Sequence, residues 1–105
     1  MSYFDHERLN VYTLAVDVAR AVAAARFPRG DADLRDQAVR ASRSVVLNIA
    51  EGCARGGGAS KNHYRIALGS AAETCAAFDL ASVTDSKALQ DKLRRVGAML
   101  SRLAR

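Results

Sequence analysis

Residues 44–58 read SVVLNIAEGCARGGG. Val45, Val46, Leu47, Ile49 and Ala50 give the stretch the density of apolar side chains that a packed helix needs. An amide, Asn48, sits among them, followed by a carboxylate, Glu51, and a glycine, Gly52. Three glycines in a row, Gly56, Gly57 and Gly58, come next. The pattern is a helix that carries polar groups on its apolar side and then stops. Followed backwards at helical spacing, the stripe runs through Leu34, Ala38, Ala41 and Val45 to reach Asn48 and Gly52. This predicts a helix over 33–54, with Asp31 or Asp33 accepting a bond from a free backbone N–H at its start.

The same periodicity predicts three more helices. The first covers 7–26, with Val11, Leu14, Ala15, Val18 and Val22 on one stripe and Tyr12, Val16, Ala19 and Ala23 on a second beside it. That apolar surface is wider than one groove of a bundle requires, which points to burial against another subunit as well. Pro28 and Gly30 break the helix. The glycine run is read as a flexible loop to a third helix over 60–82, capped by Ser60. Tyr64, Leu68, Ala71, Cys75 and Phe78 form its apolar stripe, and Gly69, Ser70, Ala71 and Ala72 admit a close neighbour. The fourth helix, 86–103, turns Leu89, Leu93, Val96, Leu100 and Leu103 inward. Short connections favour neighbouring helices of opposite direction. The fold class is therefore all-α, an antiparallel up-down-up-down four-helix bundle forming one domain over 1–105.

Composition bounds the function. Half of the 105 residues are hydrophobic, so disorder is excluded, and a chain this small gains from oligomerisation. The net charge is +5 and uneven. Residues 66–86 hold three acids and no base, whereas residues 87–105 hold six bases and one acid. A basic balance permits a polyanionic partner. Cys53 and Cys75 form no C-x-x-C pair, no signal peptide opens the chain, and no stretch is apolar enough to span a membrane. A cytoplasmic protein with reduced core thiols and no membrane partner is expected.

The order Leu9-x-Val11-Tyr12, Phe27-Pro28, Asn48-Ile49-Ala50-Glu51-Gly52 and Gly69-Ser70-x-x-Glu73 resembles the bacterial four-helix-bundle proteins, also called 23S rRNA intervening-sequence proteins. The resemblance covers about residues 4–82. It implies an antiparallel four-helix bundle assembling as a ring-like homo-oligomer, a homopentamer. One relative is the accessory variability protein of diversity-generating retroelements, a basic pentamer that serves a reverse transcriptase and binds nucleic acid. The resemblance thus adds RNA, DNA, a reverse transcriptase or another RNA-binding protein to the candidate partners.

Asn48 and Glu51 are three apart and can face one partner, and Gly52 removes bulk beside them. With Ser70 and Glu73 from the third helix they are read as a structural polar network that fixes helix pairing or a subunit seam. A ligand site at that seam is the alternative, and an enzyme using Glu51 and Glu73 as a carboxylate pair is the remote third. His6 and His63 are read as surface residues, and the Cys53, His63, Cys75 spacing matches no metal-ligand pattern, so neither a metal nor a cofactor is expected. Gly56–Gly58 lacks the spacing of a phosphate-binding loop. The candidate nucleic-acid-binding residues form two groups: Arg40, Arg43, Arg55, Lys61 and Arg65 around the second loop, and Lys92, Arg94, Arg95 and Arg102 on the last helix. Stacking aromatics do not accompany them, so phosphate or shape would be read rather than bases. The leading function is a non-enzymatic oligomeric binding or scaffolding module for nucleic acid. A purely protein-directed assembly module is the runner-up.

Overall fold

The computed structural model describes residues 4–105, leaving the side chain of Arg8 aside. Among the described residues there are four α-helices and no strand. These are α1 (Asn10–Ala24), α2 (Ala32–Ala54), α3 (Gly57–Leu80) and α4 (Lys87–Leu103), with short 3-10 turns at Asp5–Arg8 and Arg29–Asp31. α1 packs on α2 and α4, and α3 packs on the same two. The helices therefore close a four-membered bundle around one core. Val18, Val22, Ala38, Val45, Ile49, Ala67, Val96 and Leu100 are almost entirely buried in it. Ala38, Ala67 and Ala71 are core residues in their own right, so the Ala-rich composition brings helix axes together rather than only raising helix propensity.

The predicted stripes of α1, α2 and α3 lie where expected, with Val11, Ala15, Val18 and Val22 inward on α1. Differences lie at the ends. α1 begins at Asn10 because Asp5–Arg8 wind as a 3-10 turn and Leu9 is extended between the two, and it stops at Ala24, short of 26. Pro28 forces extended backbone ahead of it, and Phe27 turns back onto Phe78 with ring centroids 5.1 Å apart. Asp31 stands at the N-cap of α2, but neither it nor Asp33 caps through its side chain. Leu103, expected to face inward, is exposed at the last turn of α4.

The glycine run is the largest correction. It is not a loop: α3 starts at Gly57, and only residues 55 and 56 separate it from α2. Gly57 holds a left-handed φ of 60°. A side chain there would be strained, which is why glycine can turn the chain so tightly. Ser60 accordingly lies within the first turn of α3 and is not its cap. Gly69 also departs from expectation, since a Cβ there would meet nothing within 4 Å. It faces out of the bundle and does not admit a neighbouring helix of the same chain.

Candidate functional site

Asn48 lies on the side of α2 that meets α3 and is half-buried. Its Nδ2 donates to the Ser44 carbonyl at 2.9 Å and to Ser44 Oγ at 3.1 Å. Ser70 Oγ donates to Ser44 Oγ at 2.9 Å. His63 Nδ1 lies 2.9 Å from Asn48 Oδ1. The Asn48 amide nitrogen is already donating, so its oxygen must be the acceptor and His63 must carry its proton on Nδ1. A polar chain of His63, Asn48, Ser44 and Ser70 thus laces α2 to α3. Deeper along the same pair, Tyr64 Oη donates to Cys53 Sγ at 3.4 Å. The Tyr64 ring lies against Gly52, where an added Cβ would be 2.7 Å from Cε1. Burial, with help from the Cys53 thiol, raises the Tyr64 phenol above its ordinary pKa, partly offset by Ser60.

Three of the five residues expected at this seam lie at the α2–α3 contact. Asn48 and Ser70 join the chain, and Gly52 makes the room for Tyr64. Glu51 does not join it. It is exposed and ion-paired with Arg55, one turn on, at 3.3 Å. Glu73 is exposed and outside the network as well. The carboxylates are therefore not held together as an acid–base pair. His63, read as a surface residue, is instead a member of the network. Ser44 is the other member that the sequence did not single out, and Tyr64, read only as part of an apolar stripe, also places its hydroxyl on Cys53. His6 is half-buried between Phe4 and Tyr12, with ring centroids 5.7 Å and 4.6 Å away.

A second polar device, not anticipated, ties α3 to α4. Buried Gln90 donates through Nε2 to Asp79 Oδ1 at 2.8 Å and to the Cys75 carbonyl at 3.2 Å, and its Oε1 accepts from Ser86 Oγ at 3.1 Å. Among the described residues every buried side-chain nitrogen and oxygen has a partner. These groups are satisfied within the chain by bonds that cross the α2–α3 and α3–α4 contacts. His63 meets an amide and Ser70 meets another serine, so the network presents no serine activated by histidine. No three of the described His, Cys, Asp and Glu side chains are placed to hold a metal ion. A cleft of about 540 Å³ beside the α3–α4 connection is lined by Ala21, Phe78, Val83 and Leu89 among others, and contains none of the seam residues.

The basic residues divide differently from the expected two groups. Arg40 and Arg43 lie fourteen and eleven residues before the end of α2, roughly 20 Å from the second loop at 1.5 Å per residue, so they do not surround it. Arg55 is paired with Glu51, and Lys61 and Arg65 are exposed on the first turns of α3. On α4, Arg94 is held by Asp91 at 2.8 Å. Lys87, at 2.9 Å from the same carboxylate, is the main cause that keeps the Asp91 pKa below its ordinary value, and Arg94 adds to it. Lys92, Arg95 and Arg102 remain exposed and have no acidic partner among the described residues. Arg95 and Arg102 border two adjoining clefts between α1 and α4, and Asn10 and Met99 line both.

No helix among the described residues is long and apolar enough to cross a membrane. Among curated proteins, no match was found. The family model for the 23S rRNA-intervening sequence protein matches residues 7–102, nearly the whole chain, and the chain belongs to that family.

Proposed function

We propose that the protein is a non-enzymatic, homo-oligomeric binding module that contacts nucleic acid, as RNA or an RNA–protein complex, through the α1–α4 edge. The helices of each copy run up-down-up-down, a reading supported by the α2–α3 pairings, in which Ser44 meets Ser70 while Cys53 meets Tyr64. Five copies is the number that the family resemblance implies. The observation that carries the nucleic-acid reading is the pair Arg95 and Arg102. They stand seven residues apart, two turns along α4, on one edge and with no acid pairing them. Lys92 extends the row. Asn10 and Thr13 bring neutral hydrogen-bonding groups to the same clefts, while Asp17 sets a limit to the positive surface. In a ring the edge repeats, so weak phosphate contacts add.

The test is filter binding of RNA and DNA at several salt concentrations. Log affinity should fall linearly with log salt, by about 0.7 per phosphate contact for single strands and about 0.9 for duplex. Arg95→Glu with Arg102→Glu should weaken every sequence alike and make the slope shallower by about 1–2, with helix content unchanged. Failure to retain either nucleic acid at low salt would leave the protein-directed module as the function. The apolar groove between α1 and α2 is the observation that favours that second reading.

A further inference from the structure

The cleft beside the α3–α4 connection, about 540 Å³, has an apolar floor of Ala21, Ala25, Phe78, Val83 and Leu89. That volume lies in the range that small-molecule sites occupy. Two charged residues line it, Arg26 from the chain just after α1 and Asp85 from the connection. Both are exposed. Among the described residues neither side chain makes a hydrogen bond or an ion pair, with the other or with any third group.

The backbone that carries each charge is anchored by the following residue. Phe27 rests on Phe78 with ring centroids 5.1 Å apart, and Ser86 Oγ donates to Gln90 Oε1 at 3.1 Å. Asp85 also holds a left-handed φ of 61°. Glycine would adopt that backbone at less cost, so the chain keeps a carboxylate at the cleft against a conformational preference. The two charges then select what enters. An apolar acid is drawn by Arg26 and repelled by Asp85, and an apolar amine meets the reverse. A molecule that carries both charges beside an apolar group answers the whole cleft.

We propose that the cleft binds a free α-amino acid with an apolar side chain. The carboxylate lies on Arg26, whose guanidinium offers two parallel N–H donors, the ammonium on Asp85, and the side chain on the floor. A bound amino acid ties the end of α1 to the α3–α4 connection and stabilises the folded chain by mass action. No residue of this cleft borders the clefts of the α1–α4 edge, so the site does not rest on the nucleic-acid reading.

The experiment is a chemical-shift titration of the whole isotope-labelled chain with L-leucine and with L-phenylalanine. Saturable shifts at millimolar concentration or below should centre on residues 25–27 and 83–86. N-acetyl-L-leucine lacks the ammonium, L-leucinamide lacks the carboxylate, and glycine lacks the apolar group. Each should bind at least about tenfold more weakly than leucine. Arg26→Gln should abolish the preference for leucine over leucinamide, and Asp85→Asn the preference over N-acetyl-leucine. Both changes fall on exposed side chains, and asparagine accepts a left-handed φ, so helix content should hold in circular dichroism. Arg26→Ala and Asp85→Gly replace either variant that disturbs it. No saturable shift with either amino acid, equal binding of leucine and a form lacking one of the three groups, or variants that keep the full preference would each overturn the site.

Discussion

A methyl group at position 52 would lie 2.7 Å from Cε1 of Tyr64, 3.0 Å from Cδ1 and 3.1 Å from Cζ. The ring has little room to withdraw. It is buried, and its hydroxyl is fixed on Cys53. Gly52→Ala should therefore lower stability even though alanine is the better helix former. Overpacking costs about 1–3 kcal/mol, against about 1 kcal/mol gained in propensity. Urea unfolding of Gly52→Ala and of Gly52→Ala with Tyr64→Leu checks this, and the second change should recover part of the loss. The phenol supplies a pH signature. Its folded pKa lies above its unfolded value of about 10, so the folded state favours the neutral form. The corresponding stability is fully present below about pH 10 and is lost as pH rises through the folded pKa. Tyr64→Phe should be less stable than the parent at pH 8 by about 0.5–1 kcal/mol for the lost hydrogen bond. Thermal melts from pH 8 to 11 should show that gap closing.

At the scale of the helix, the 3.6-residue period of apolar side chains was enough to find all four elements, because each helix buries one continuous stripe. The ends were less legible. Three glycines lower helix propensity by about 1 kcal/mol each, and on that ground they read as a loop. The chain instead uses one of them for a left-handed turn and begins α3 at once. Packing of α3 along α2 outweighs the local cost. That misplacement explains what was missed at the seam. Asn48 was legible as an amide interrupting an apolar stripe. His63 was not, because its partner is fifteen residues away on another helix, and loop length sets the register between them. With α3 starting at Gly57 rather than at residue 60, His63 falls on its second turn, opposite Asn48. Gln90 left no signal at all, since a glutamine on an amphipathic helix is ordinarily solvated.

For the molecule as a whole, the family was legible in a few residues at fixed distances, and the surfaces were not. Arg94 and Arg95 are neighbours in sequence, yet one is tied to Asp91 and the other opens onto the α1–α4 edge. Rotation by one residue on a helix decides this, and a charge tally is blind to it. The two-residue link between α2 and α3 has one more consequence, which concerns the order of events in folding. Closing so short a connection costs little chain entropy, whereas α1 meets α4 only after almost the whole chain has been gathered. α2 and α3 also share the most extensive packing in the bundle. That hairpin should form the nucleus, and the α1–α4 seam should close last. In denaturant-jump kinetics, Gly52→Ala should act on the refolding limb. Val11→Ala, which loosens the late seam, should act on the unfolding limb instead. The edge assigned to nucleic acid is then also the one that opens first when the bundle breathes.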